Sequence, residues 1–362
     1  RTQNELLFRL VVSPRSCIIL GASGLVGQRL QQRLIEHPLF KISAIAGSPS
    51  TAGQELDDIP WRLDESRPDL PNLVVIDVNS SDLIEQCKIK NIEIAFSALP
   101  SKIALDIEKK LVDAGIIVFS NASTYRRKPK IPMIIPEINS HHFHKSLHYC
   151  ATNCTLIPLA IPIFAIANIS PIQSIKMRSE QALSGAGWEL LNDKEALHGN
   201  VEPHIEGEAE KTAKELLHVM GSIENQDVKP ADFDLEVKCE RISRRDGHQV
   251  FVEVKTENSV QLEDILKQFL RTELTNNLPS KPYQTIHIVD KIDTDKHLWS
   301  DGKSFTTNPT PKNDLKAGMA VVVGNLEVEE RTIKFSAFSH NTIRGAAGGL
   351  VYLAEFVMNY DC

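Results

Sequence analysis

The sequence predicts two units, an N-terminal doubly wound α/β sheet and a C-terminal α+β unit built on a mixed or antiparallel sheet. Three observations predict this. From Ser16 to Thr152 short apolar runs alternate with amphipathic stretches, and a glycine-rich turn follows the first apolar run. Beyond Asn153 the runs change to the alternating pattern of half-buried strands. A chain of 362 residues is long enough for two such cores.

Cys17–Leu20, Ile42–Ala46, Leu73–Val78, Ile92–Ser97 and Ile116–Ser120 are apolar enough to be buried parallel strands. Leu25–His37 and Lys102–Ala114 carry the helical period between them. In the second unit a helical stretch, Glu206–Gly221, gives way to strands at Leu235–Ile242, Gln249–Lys255, Thr285–Val289, Met319–Val328 and Thr332–Ser339. Asp290–Lys316 is polar and reads as an exposed loop. The last helix, Arg344–Asn359, is small and apolar on one side and is expected to pack back onto the first unit. The expected division is therefore 1–152, completed by a helix at 341–362, and 153–340.

Composition excludes several classes. Apolar residues make up 42% and charged residues 24%, an ordinary globular balance. A formal charge of −7 offers no general attraction to nucleic acid or an anionic membrane. An anionic substrate therefore requires locally placed Arg and Lys. The six cysteines (Cys17, Cys87, Cys150, Cys154, Cys239 and Cys362) are dispersed, without a CxxC pair, as reduced cytoplasmic thiols are. No apolar run approaches the roughly 20 residues that cross a bilayer; Leu156–Ile169 is short and contains Pro158 and Pro162. The first residues carry no targeting pattern, and a start on Arg1 rather than Met reads as a trimmed or processed one.

GASGLVG, from Gly21 to Gly27, sits between a strand and a helix, the context in which glycines let backbone approach a pyrophosphate. Gly21, Ser23, Gly24, Leu25, Val26 and Gly27 are the expected contacts of a Rossmann-type dinucleotide site. About 20 residues on, an NAD site usually places an acid on the ribose 2′-hydroxyl. Ser48, Ser50 and Thr51 stand there instead, hydroxyls compatible with a 2′-phosphate, so NADP is expected.

Cys154, in Asn153-Cys154-Thr155, opens the second unit ahead of an apolar stretch. A thiol at a helix N-terminus gains thiolate character; the two prolines, expected to kink that helix, weaken the effect. Most lone cysteines are small buried hydrophobes.

Nine segments in the right order, spanning nearly the whole chain, resemble aspartate-semialdehyde dehydrogenase, most closely its archaeal and fungal branch. They are GASGLVG, SALPS (97–101), SNASTYR (120–126), IPEIN (135–139), NCT (153–155), QALSGAG (181–187), NVEPHIEGEAEK (200–211), RISRRDGH (241–248) and HNTIRGAAGG (340–349). The resemblance implies NADPH-dependent reduction of L-aspartyl-4-phosphate to the semialdehyde and phosphate, in lysine, threonine and methionine biosynthesis, by a homodimer or homotetramer and without metal.

It also implies roles. Cys154 is the thioester-forming nucleophile, His248 the acid/base and Gln181 the residue that orients the acyl group. Arg241 grips the α-carboxylate, Glu208 holds the α-ammonium, and Lys211 and Arg126 hold phosphate, with Asn153 beside them. Ser97, Leu99, Pro100, Ser184 and Gly185 match cofactor positions, and Asn341 matches a contact to the nicotinamide amide. Gly345–Gly348 lets the last helix approach closely.

Taken alone, Glu208 and Lys211 are an ordinary i,i+3 surface pair, His248 a strand-end residue and Arg126 part of a basic loop with Arg127, Lys128 and Lys130. His141, His142 and His144 suggest a metal, but their spacing better fits a polar helix start. Ser50 departs from the Arg that the branch often carries, which leaves room for NAD; Ala209 is a lesser departure. A malonyl-CoA reductase-type acyl reductase would keep Cys154, Gln181, Arg241 and His248 but give Glu208 no ammonium to hold. A cysteine context unlike NCT separates N-acetyl-γ-glutamyl-phosphate reductase. A non-catalytic NADP-binding scaffold and a cysteine hydrolase are rivals of other classes.

Overall fold

The computed structural model describes residues 13–360. The targeting-pattern reading of the first residues and Cys362 fall outside the described residues.

The first sheet is built from β1 (Arg15–Leu20), β2 (Phe40–Gly47), β3 (Ile76–Asp77), β4 (Ile94–Ser97), β5 (Ile117–Ser120) and β6 (His148–Cys150). Their order is β3-β2-β1-β4-β5-β6 and every pairing is parallel. Helices α1 (Leu25–Leu34), α2 (Leu83–Ile89) and α3 (Ser101–Asp113) make the crossovers. The strand order reverses between β1 and β4, and that crevice is where such sheets bind ligands.

The Leu73–Val78 strand contracts to two residues. Its first half pairs instead with the preceding loop: Gln54 accepts the Val75 N–H (2.9 Å) and Leu73 accepts the Leu56 N–H (2.7 Å). Helix α1 stops at Leu34, three residues short of the expected end, because Pro38 disfavours helical backbone at His37.

This sheet carries an aromatic row from four of its strands, β2, β4, β5 and β6. Phe40, Phe96, Phe119 and Tyr149 lie 5.3, 5.8 and 5.4 Å apart, centroid to centroid. The last helix, α7 (Gly348–Tyr360), covers that row, and its residues 350–357 are fully buried. It packs back onto the first sheet as expected. It is not one-sided, however: it lies between α1 and β5 and buries its whole circumference.

The second sheet has the order β10-β7-β11-β14-β13-β12, from β7 (Ile172–Gln181), β10 (Asp234–Arg241), β11 (His248–Thr256), β12 (Ile286–Ile288), β13 (Val321–Glu329) and β14 (Thr332–Ser339). It is mixed: β10 runs parallel to β7, and β11 antiparallel to both β7 and β14. β8 (Ser222–Glu224) and β9 (Asp227–Lys229) form a separate hairpin. Helices α4 (Leu156–Ala167), α5 (Glu208–Val219) and α6 (Leu262–Arg271) cover one face. Helix α4 is apolar all round, as a helix enclosed by sheet and helices must be. Pro158 falls in its first turn, where no amide is required; only Pro162 lies inside, and the helix continues past it.

The Asp290–Lys316 stretch corrects its expectation. It has little regular structure, but His297, Trp299, Ser300 and Asp301 are buried. Asp301 accepts the Lys303 and Ser304 N–H groups, and Trp299 lies edge-on to His340 at 4.4 Å. The loop braces the strap that leads into α7.

Candidate active site

Three expected residues meet at one edge of the second sheet. Gln181 ends β7, Arg241 ends β10 directly opposite it in parallel register, and His248 begins β11 on the other side of β7. The 182–186 turn continues from Gln181 and is tied to the β10–β11 loop, since Leu183 and Ser184 donate to the carbonyls of Arg244 and Arg245. Gly185 sits so close that a Cβ there would stand 2.9 Å from Arg241 Nη1 and 3.0 Å from His248 Nε2. Arg241 and His248 therefore flank one point.

Cys154 approaches from the first sheet. It follows β6 and precedes the first residue of α4 by two positions, in a turn, partly exposed. A Cβ on Gly345 would lie 2.7 Å from the Cβ of Cys154, so the strap and the nucleophile turn touch.

Helix α5 supplies the third side. Glu208, Lys211, Thr212 and Glu215 fall at i, i+3, i+4 and i+7 and share one face. Lys211 pairs with Glu208, which is also 3.4 Å from Gln181 Nε2 and 3.5 Å from Thr155 Oγ1. Arg126 is not a solvated loop residue. It pairs with the buried Glu215 at 3.0 Å and donates to the Asn121 carbonyl. The second oxygen of Glu215 accepts the Asn153 N–H at 2.7 Å, while Asn153 Nδ2 donates to Thr212 Oγ1. Thr212 and Glu215 were not among the sequence-predicted residues. Their helical spacing from Glu208 was the available signal.

The electrostatics correct one expectation. The Cys154 thiol is pushed up to about 11, by burial first and then by Glu208, against the opposing pull of Lys211, Arg126 and Arg241. At pH 7 the thiol of the free protein is then predominantly protonated. His248 moves the other way, down to about 3, through burial and the nearby Arg241. Ala182 donates its N–H to His248 Nδ1 at 3.1 Å, so the neutral ring carries its hydrogen on Nε2. That Nε2 is buried without a partner. In this state the imidazole is a donor, not an acceptor for the thiol proton.

Asn341, matched in sequence to a nicotinamide contact, is hydrogen-bonded within the protein. Its Oδ1 accepts the Gly247 N–H at 2.7 Å and its Nδ2 donates to Ser184 Oγ at 2.9 Å, which fixes the residue before His248.

The nucleotide crevice fits a dinucleotide. Gly21 has φ +79°, and a Cβ there would meet the Ala98 carbonyl at 2.7 Å; one on Gly27 would meet the Gly21 carbonyl at 2.1 Å. Only glycine packs the turn against the loop after β4, which contains Leu99 and Pro100. The Gly21 and Ala22 N–H groups are bonded to Ala46 O and the Gly24 N–H to Gly21 O, so the turn's anion donors are the N–H groups of Ser23 and of the first turn of α1, at Leu25, Val26 and Gly27. Ser97 is fully buried and lies beneath the crevice. Ser48 and Ser50 are exposed at the end of β2, hydroxyl to hydroxyl at 2.7 Å, and Thr51 donates to Ser48 O.

Residues 16–146 match the model of the semialdehyde dehydrogenase NAD binding domain, and residues 162–344 match that of the semialdehyde dehydrogenase dimerisation domain. Aspartate-semialdehyde dehydrogenase of Archaeoglobus fulgidus is 31% identical over 94% of this chain and 97% of its own length. The chain belongs to the aspartate-semialdehyde dehydrogenase family. The Saccharomyces cerevisiae member is 28% identical over 94% of this chain and 96% of its own. The Candida albicans enzyme, solved with NADP, superposes with a TM-score of 0.76 at 27% identity, over 96% of this chain and 99% of that one. A Vibrio cholerae member, at 17% identity and a TM-score of 0.70, shares the fold. Family membership makes the chain an oxidoreductase with a nucleotide-binding domain and a domain of the dimerisation type. No helix among the described residues is long and apolar enough to cross a membrane.

Proposed function

We propose that this chain reduces L-aspartyl-4-phosphate to L-aspartate 4-semialdehyde and phosphate through a thioester on Cys154, with NADPH as reductant. The observation that carries the proposal is the convergence of Cys154, Arg241, His248 and the Glu208–Lys211 pair around Gly185 and Gly345. Arg241 suits the α-carboxylate, and Glu208 suits the α-ammonium, a group that malonyl-CoA lacks. Lys211 and Arg126 supply the cations that an acidic protein must place locally for phosphate.

The protonated thiol gives Glu208 a second part. Its charge raises the thiol pKa, and a bound ammonium would neutralise it, leaving Lys211, Arg126 and Arg241 to favour the thiolate. The substrate thus helps activate its own nucleophile. Sulfur attacks the acyl carbon, the C–O bond to phosphate breaks, and the thiol hydrogen leaves on hydrogen phosphate. Gln181 orients the acyl oxygen. NADPH, when bound across the glycine turn, supplies the hydride. The oxyanion of the resulting hemithioacetal accepts a hydrogen bond from His248 Nε2, and C–S cleavage returns the thiol with one solvent proton relayed through the imidazole.

The Ser48, Ser50 and Thr51 hydroxyls support NADP. The sequence division at 152/153, with the last helix completing the first unit, accords with α7 packing on α1 and β5. The uncovered face of the second sheet, where Arg178 lies over Phe251 at 4.4 Å, suits a homodimer, with a homotetramer as its doubled form. The five free cysteines among the described residues suit the cytoplasm.

The test is the reverse reaction: protein, NADP, phosphate and aspartate semialdehyde. Growth of reduced-nicotinamide absorbance that requires phosphate is expected. No growth would favour a scaffold, and turnover of malonyl-CoA alone would favour the acyl reductase.

A further inference from the structure

Two sequence features take no part in that reaction: the basic run after Arg126 and the histidines at 141–144. The fold brings both to one cavity of about 410 Å³ beside α5, next to the face that carries Lys211. Arg127, Lys128, Lys130 and Lys214 line it, together with His142, His144 and His218, and Asp227 is its one carboxylate. Ile131, Met133, Leu217, Ile223 and Val228 form an apolar floor.

We propose that this cavity is a second anion site, for a small organic phosphate or polycarboxylate whose apolar part rests on the floor. Among the described residues Arg127, Lys128 and Lys130 have no ion-pair partner, whereas Lys214 is paired with Glu210. These three exposed cations around one concavity, against the single carboxylate of Asp227, give it a local positive charge in a chain of net charge −7. Arg127 and Lys130 are held at φ +58° and +63°, a left-handed conformation that side chains with a Cβ adopt at a cost. That backbone is fixed by the Lys128 and Ile131 amides, which bond back to Tyr125 and Lys128 carbonyls. The histidines do not form a metal site: His142 is engaged by Gly221 O at 3.0 Å and by Asn139, and no metal-ligating group of three occurs among the described residues.

The site is distinct from the phosphate cations of the reaction but adjoins them. Arg126 and Arg127 are consecutive, and α5 turns Lys211 and Glu215 to the reaction and Lys214, Leu217 and His218 to this cavity.

Calorimetry on the NADP-loaded protein at low ionic strength tests the proposal, with inorganic pyrophosphate and 1-naphthyl phosphate as probes. Two binding events per chain are expected. Lys128→Gln/Lys130→Gln should weaken one at least tenfold and leave turnover unchanged, while Lys211→Met should weaken only the other. Naphthyl phosphate should occupy the second site more tightly than methyl phosphate does. A single event that Lys211→Met abolishes and the double variant leaves intact would overturn the proposal. Equal affinity for naphthyl and methyl phosphate would remove the apolar floor from it.

Discussion

Gly345 and Cys154 are in direct contact: a Cβ on the glycine would sit 2.7 Å from that of the cysteine and 3.0 Å from its Cα. Backbone atoms cannot yield as a flexible side chain does. Gly345→Ala is therefore expected to shift the sulfur and lower kcat by about a hundredfold, the scale of a 1 Å misplacement. The dissociation constant of NADP, measured by fluorescence titration, should change little.

Glu215 joins helix α5 to both the phosphate side and the nucleophile turn. Glu215→Ala strands the Arg126 guanidinium, whose side chain is 8% exposed, and removes the acceptor for Asn153 N–H. Breaking such a buried pair costs about 3–5 kcal/mol, measurable by urea unfolding. Glu215→Gln keeps an acceptor, should lose less stability, and should raise KM for phosphate.

These two contacts mark what the sequence did and did not disclose. The strand–turn–helix around Gly21–Gly27, the helix at 208–219 and the strands that carry Arg241 and His248 were legible, because period and motif are local properties; the strand at 172–181 that ends on Gln181 and joins them was not expected. Glu215 was not singled out, although its position on the Glu208 stripe was readable. The raised thiol pKa was not legible at all, since it depends on which charges the fold gathers and how little water it leaves. The engagement of Asn341 with Gly247 and Ser184 joins residues far apart in the chain. The same holds for the buried Trp299, which lies in a stretch whose polarity suggested solvent.

The thiol prediction is separable. With burial and Glu208 both raising the pKa to about 11, alkylation by iodoacetamide in the free protein should climb about tenfold per pH unit between pH 7 and 10. Glu208→Gln should move the curve to lower pH. An unmoved curve would remove Glu208 from the activation scheme.

His248 ties stability to pH. Its folded pKa, about 3, lies below the ordinary 6.5, so between those values the unfolded chain binds the extra proton. Its contribution is complete above pH 6.5 and is lost as pH falls toward 3, with a slope near 1.4 kcal/mol per pH unit at most. His218, lowered to about 4, acts in the same direction. His248→Gln should flatten the acid limb of the unfolding free energy by up to one proton.

The exposed Ser48–Ser50 pair offers a 2′-phosphate hydroxyls rather than a charged side chain. Ser50→Arg should raise the preference for NADP over NAD, in the ratio of kcat/KM values, by about tenfold. An unchanged ratio would place the 2′-phosphate elsewhere.

The central claim is acyl transfer to one sulfur. Protein mixed with aspartyl phosphate without NADPH, quenched in acid and digested, should yield an aspartyl adduct on the peptide containing Cys154. Cys154→Ala should give no adduct and at least a thousandfold lower turnover, on the scale seen when nucleophiles are removed. An unmodified peptide, or a Cys154→Ala protein that turns over at full rate, would contradict the account.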